Sequence, residues 1–461
     1  MVDARGTGGS AAATAASTEM SERGRIEPLD LARRVVALAT RAGASHSVAS
    51  VSTSRAFELR HRDGRVETVE ESRSTALRVQ LFVDGRFSTH ATTDLDVAAL
   101  AKFVERGVAL TRLLEADPHR RPTPRALWEG RAKVDLDQVD PRIDAVTAEQ
   151  RVATARTLEE AARADANVLS ATAWVSDGRV SYARVASDGF EGVREHTSAS
   201  FGAEVSVKDA GDKRPEAYRF ASAAHISDLP AAERIGREAL ARALARRGAV
   251  KAPSARATMV LAPEAASAFL RRVVGVLDAG AVQQRRCFLE GRLGESIASP
   301  LLTLVDDPHR PRSNASRLFD GDGIATARRT IVEGGVLSTF FVDTYYGDKL
   351  GWAPTTTGPS NVLFGGGRGD LAQLVRTAGS GFLVNGWLGG NANPTTGDFS
   401  FGVHGRRIDR GEPAEAIAEM NVSGNYKDVL MRLVAVGDDP EPWSTFRSPT
   451  LVFEGVDFSG V

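Results

Sequence analysis

The chain has 461 residues, enough for two or three domains with sizeable cores. Apolar residues make up 42% and charged residues 25%, the proportions of an ordinary globular protein, and no apolar run approaches the roughly 18 residues of a membrane-spanning helix. Lys plus Arg is 58 and Asp plus Glu is 59, so the basic excess that gives nucleic-acid binders their grip on phosphate is missing, and direct nucleic-acid binding is not expected.

Residues 1–25 are rich in Ala, Gly, Ser and Thr and lack the apolar core of a signal peptide. They read as a disordered tail, and the expected location is the cytoplasm. A helix starts near Pro28, with Leu31, Val35, Leu38 and Ala39 at helical spacing, and ends at Gly43. The run from Ala76 to Val83 leads through Asp84-Gly85 into Arg86–Thr89, a hairpin signal. A helix capped by Asp94 is expected over 95–114, and the Pro- and Arg-rich stretch 117–130 reads as a long connection. Thr147-Ala148-Glu149-Gln150 is a capping box for a helix to about Arg163. Residues 168–208 have strand character, punctuated at Asp177-Gly178 and Asp188-Gly189, and a helix is expected from Pro230 to Arg247. Ala252-Pro253-Ser254 marks a domain boundary. Beyond it come a strand at Met259–Leu261 and a helix over Glu264–Ala279, and after 300 short strands and Gly-rich turns. So many strands favour a closed sheet, because unpaired edges invite aggregation. The fold class is α+β: a mixed α/β N-terminal region over 26–250, divisible at 26–116 and 131–250, and a β-rich, barrel-like C-terminal domain over 256–461.

Hydrolytic chemistry leaves few marks. A zinc peptidase helix needs two histidines aimed at one ion and a nearby Glu to take a proton from water. None of the eight histidines has another within ten residues, so no such helix motif exists. Gly379-Ser380-Gly381 lacks the spacing of a nucleophile elbow, and Gly365-Gly366-Gly367-Arg368-Gly369 lacks that of a phosphate loop. Asp306-Asp307-Pro308-His309 reads as a strand end and turn rather than a ligand set. The single cysteine, Cys287, excludes an intramolecular disulfide, and it reads as structural although Arg285 and Arg286 precede it.

A group of segments nevertheless forms a pattern. They are Gly291–Ser299 with Leu302–Pro308; Gly335–Phe340 with Asp343 and Leu350-Gly351; Thr357-Gly358; Gly389–Ser400; and Asn421–Leu430. In order and spacing they resemble the TldD/PmbA family, known as modulators of DNA gyrase and as a two-subunit zinc metallopeptidase system. The resemblance implies that TldD-type chains carry H-E-x-x-x-H just upstream of the segment like Gly291–Ser299, plus a cysteine ligand near the C-terminus. PmbA-type chains, also called TldE, lack these ligands and pair with the zinc-bearing subunit.

Counting back from Gly294, the motif positions fall on Leu270, Arg271 and Gly275. Leucine and glycine offer zinc no donor, and a protonated guanidinium repels a divalent cation. No histidine lies between 226 and 308, and no cysteine follows Cys287. The resemblance therefore implies a catalytically silent, PmbA/TldE-like subunit with no metal or cofactor of its own, zinc being held by a TldD-like H-E-x-x-x-H partner in a heterodimer that acts on unfolded peptides. Gly389, Gly390, Asn391, Asn393, Thr396, Gly397, Asp398 and Ser400 are the candidate peptide-channel residues, a tight-turn framework being the other reading of the same glycines. Two further readings stay open: a homodimeric peptidase with an atypical metal site or none, and a regulatory protein-binding module that acts without proteolysis.

Overall fold

A computed structural model describes residues 27–461. The tail expected at 1–25 lies outside them. In chain order the elements are α1 (Pro28–Arg41), β1 (His46–Arg62), β2 (Arg65–Val83), β3 (Arg86–Thr92), α2 (Val97–Thr111), α3 (Ala148–Ala162), β4 (Val168–Ala186), β5 (Glu191–Val207), β6 (Glu216–Ala223), α4 (Ala232–Leu244), β7 (Ala255–Leu261), α5 (Pro263–Gly275) and α6 (Ala279–Gln283). They continue with β8 (Leu304–Asp306), β9 (Arg329–Glu333), β10 (Val336–Leu337), α7 (Thr344–Leu350), β11 (Val362–Phe364), α8 (Leu371–Ala378), β12 (Gly381–Ala392), β13 (Asp398–Asp409), β14 (Glu412–Asn425), α9 (Tyr426–Val429), β15 (Leu433–Val436), β16 (Phe446–Arg447) and β17 (Leu451–Ser459). Strands β1 to β6 hydrogen-bond in the order β3-β2-β1-β4-β5-β6.

The chain divides into two compact units. The first takes its described residues from 27–53, 74–117 and 181–194. Its core joins Leu31, Val35 and Ala39 of α1 to Leu77, Val79 and Leu81 of β2 and to Leu100, Val104 and Val108 of α2. Asp84 and Gly85 both take positive φ, 51° and 75°, the geometry of the tightest hairpin turn. Helix α2 is capped by Asp96, not Asp94: the Asp96 carboxylate accepts from the amides of Ala98 and Ala99. Asp94 instead accepts from the Asp96 amide, two residues on and ahead of the helix.

The second unit holds 54–73, 118–180 and 195–461. Helix α3 starts at the Thr147/Gln150 capping box and packs with α4 over β4, β5 and β6 around Phe57, Leu59, Leu158, Phe201 and Ile235. Asp177-Gly178 does not interrupt the sheet; it lies inside the continuous strand β4. The Asp177 carboxylate is buried and grips Arg151 of α3 with two hydrogen bonds of 2.5 and 2.7 Å. A side chain at 178 would meet the Arg55 carbonyl at 2.5 Å, so this glycine serves close strand packing rather than a turn.

After residue 250 the strands close on themselves. β12 pairs with β13, β13 with β14, β14 with β17, β17 with β7, and β7 with β12, a five-stranded ring to which β15 adds beside β17. A separate sheet has the order β10-β9-β8-β11-β16. The expected α+β class with a barrel-like C-terminal region is thus what the chain adopts. Two details differ. The strands β12, β13 and β14 are long, 12 to 14 residues, and in β12 Gly386, Gly389 and Gly390 sit at bulges inside the strand rather than ending it. The helix expected over Glu264–Ala279 stops at Gly275, and α6 follows from an Asp278 cap.

Candidate functional site

Helix α5 leaves β7 after Ala262, with Pro263 in its first turn, where a missing amide costs nothing. Ala265, Ala266, Phe269, Leu270, Val273 and Val274 recur three or four apart and are all buried. The Phe269 ring is ringed by aromatics from four other segments. Its centroid lies 5.8 Å from Trp387 of β12, 5.4 Å from Phe399 of β13, 4.8 Å from Tyr426 of α9 and 5.8 Å from Phe453 of β17. The polar atoms of this cluster are used: Trp387 Nε1 donates to the Ala265 carbonyl at 3.0 Å, and the Tyr426 hydroxyl to the Phe269 carbonyl at 3.3 Å. Burial pushes the Tyr426 hydroxyl pKa far up, so it is a neutral donor.

The positions expected to be degenerate lie on this helix. Leu270 is wholly buried in the apolar core. Arg271 stands outside, its guanidinium carbon 5.0 Å from the Phe446 ring centre and its Nη2 3.4 Å from Ser444 Oγ. Gly275 is the last helical residue, with open space where a side chain would be. These residues do not fit a zinc ion: one is apolar, one cationic, and one has no donor. Among the described residues, no three His, Cys, Asp or Glu side chains gather into a group that could hold a metal ion. The histidines are spent singly. His61 binds Glu159, His225 the Asp137 carbonyl and His309 the Thr326 hydroxyl, while burial beside Arg246 and Arg242 drives the His404 pKa down to about 3. Asp307 accepts from the His309 amide, the turn expected there. Cys287 is buried, and burial raises its thiol pKa despite the nearby arginines in sequence.

The channel candidates fall into two groups. Gly389 and Gly390, with φ of 108° and 114°, form a bulge in β12, where a side chain at 390 would meet the Ser400 carbonyl at 2.1 Å. Asn391 and Ser400 face each other across β12 and β13, both exposed. The others build a turn whose polar groups are mutually satisfied. Asn393 Oδ1 accepts from the amides of Thr395 and Thr396, Thr396 Oγ1 donates to Asp398 at 2.6 Å, and Asn425 Nδ2 donates to Asp398 at 2.8 Å. These bonds hold the Asp398 carboxyl below its usual range. Gly397 lies against the Phe288 ring. Among the described residues β7 pairs with Phe382–Val384 of β12, and past Val384 the register of β12 continues with β13 alone.

One feature of the unit escaped the sequence reading. Trp174, Glu204, Tyr218 and Phe220 line an open cleft of about 430 Å³ on the outer face of β4, β5 and β6. Its signal was present: Tyr218 and Phe220 alternate with the buried Ala217, Arg219 and Ala221, which puts two aromatics on the solvent side of an edge strand.

Comparison with known proteins agrees with the fold. Residues 48–111, 141–247 and 254–460 match, in turn, PmbA/TldA metallopeptidase domain 1, the central domain and the C-terminal domain. The Escherichia coli O157:H7 metalloprotease PmbA is 28% identical over 427 residues, covering 89% of this chain and 91% of that protein. The Haemophilus influenzae homologue of PmbA is 26% identical over 436 residues, 92% of this chain and 94% of its own. A solved Bacteroides thetaiotaomicron protein named for modulation of DNA gyrase superposes with a TM-score of 0.91 and 35% identity, covering 94% of this chain and 98% of that one. TldE of Thermococcus kodakarensis shares the fold, with a TM-score of 0.83 at 18% identity, over 93% of this chain and 100% of its own. The chain belongs to the PmbA/TldD metallopeptidase family.

Proposed function

We propose that this chain is the non-catalytic, TldE/PmbA-like subunit of a zinc-dependent peptidase complex that processes or degrades unfolded peptides. The observation that carries the reading is helix α5. Its positions 270, 271 and 275 offer no donor, and its inner face is closed by Phe269 and four other aromatic rings. In such a complex this chain's part is to complete the substrate chamber. The stretch of β12 past Val384 has β13 on one side, and an extended peptide adds readily to such an edge because its backbone groups find regular partners. Asn391, on β12 itself, would then lie beside the peptide, with Ser400 one strand further in.

The test compares the purified chain with the chain mixed with a family member that carries H-E-x-x-x-H. Unfolded peptide is expected to stay intact with this chain alone. The mixture should cleave it, and a chelator should abolish the cleavage. Chelator-sensitive cleavage by this chain alone would refute the reading and favour the homodimeric alternative.

A further inference from the structure

The cleft on the outer face of β4, β5 and β6 has the composition of a receptor for a flat cation. Glu204 and Tyr218 are directly opposite each other on β5 and β6, as are Gly202 and Phe220. The Trp174 ring lies over Gly202: a side chain there would meet Trp174 Cζ2 at 2.3 Å, so only glycine leaves the indole its place. Tyr218 and Phe220 are stacked, with centroids 6.3 Å apart and planes 26° from parallel, yet are 56% and 47% exposed. Three aromatic rings on a solvent face around one carboxylate are unusual for a surface that binds nothing. Among the described residues, Glu204 has no ion-pair partner.

Charge decides the ligand. An apolar partner covering the cleft would bury the Glu204 carboxylate unpaired, which is costly. A cation satisfies it while the aromatic faces attract the same charge. A planar guanidinium does both best, because it stacks on rings and offers a carboxylate two parallel donors. An added β-strand is the poorer occupant. Along the outer edge of β6, Arg246 donates to the Glu216 carbonyl and Arg242 to the Tyr218 carbonyl, so backbone acceptors there are taken. Arg242 is itself neutralised by Glu264. The cleft is open, and its four lining side chains include no cation to receive a free amino acid's carboxylate. The ligand is therefore an arginine side chain carried on a polypeptide.

We propose that Trp174, Glu204, Tyr218 and Phe220 form a binding site for an arginine side chain presented by an extended peptide. The site does not depend on whether this chain pairs with a zinc-bearing subunit, since the test needs only the full chain by itself. Saturation-transfer NMR would compare three probes: blocked Gly-Arg-Gly, its citrulline counterpart, which is flat but uncharged, and free arginine. The arginine peptide is expected to bind at least about fivefold more tightly than the citrulline peptide and than free arginine. Glu204→Gln, an exposed and isosteric change, should erase the preference over citrulline, and Tyr218→Ala should weaken the arginine peptide by a similar factor. Equal binding of the arginine and citrulline peptides, unchanged binding in both variants, or no saturation transfer to any probe would overturn the proposal. Tighter binding of free arginine would overturn the polypeptide source.

Discussion

Phe269→Ala is expected to lower the stability of the C-terminal region by about 3–5 kcal/mol, the usual cost of truncating a buried phenylalanine. Phe269 is fully buried and touches Trp387, Phe399, Tyr426 and Phe453, each on a different element. Truncation loses the transfer free energy of the ring and leaves a cavity. The stiff aromatic neighbours, two of them tied by hydrogen bonds to α5, cannot easily collapse into it. Phe269→Leu should lose roughly half as much, because it keeps part of the volume. Urea unfolding followed by tryptophan fluorescence checks both. A loss below about 1 kcal/mol for the alanine variant would mean that the helix is not fastened to the barrel by this cluster.

The second large effect is expected at Asp177. Asp177→Ala leaves the Arg151 guanidinium buried without its partner, for a loss of about 3–5 kcal/mol. Arg151 is 4% exposed and Asp177 8%. Arg151 keeps a hydrogen bond to the Val146 carbonyl and a place over the Phe57 ring, which soften the loss but cannot neutralise the charge. Replacing both partners by apolar residues, Arg151→Met with Asp177→Leu, removes the stranded charge. The double variant is therefore expected to be more stable than Asp177→Ala alone. Circular dichroism against urea for the two variants tests this, and a double variant as unstable as the single one would show that packing, not charge, carries the pair.

Where local chemistry decides structure, the sequence was readable. The Asp84-Gly85 hairpin and the Thr147/Gln150 capping box are set by one turn of backbone, and both stand where expected. Asp177-Gly178 was misleading for a tertiary reason. The same two residues that make a turn in an exposed hairpin here pair with a helix and admit a neighbouring strand, and neither partner is near in sequence. Helix α8 was missed among the glycines, although Asp370 and Gln373 form a capping box before its apolar face. The lengths of β12 and β13 were likewise hidden, because a glycine in a bulge and a glycine at a strand end look the same in one sequence.

The candidate site divides in the same way. The absence of donors at Leu270, Arg271 and Gly275 could be read from residue identity, since no packing gives leucine or glycine a ligand atom. What fills the space could not, because Phe269 meets partners more than a hundred residues away. The cleft around Glu204 needs three strands to exist at all, so no single segment announces it.

The most direct test of the account is to purify the tagged chain from its native source and identify what accompanies it in equal amount, together with the metal content of the assembly. A companion of similar length that carries H-E-x-x-x-H is expected, in a complex that contains zinc. A homo-oligomer of this chain that cleaves unfolded peptide without such a companion would contradict it.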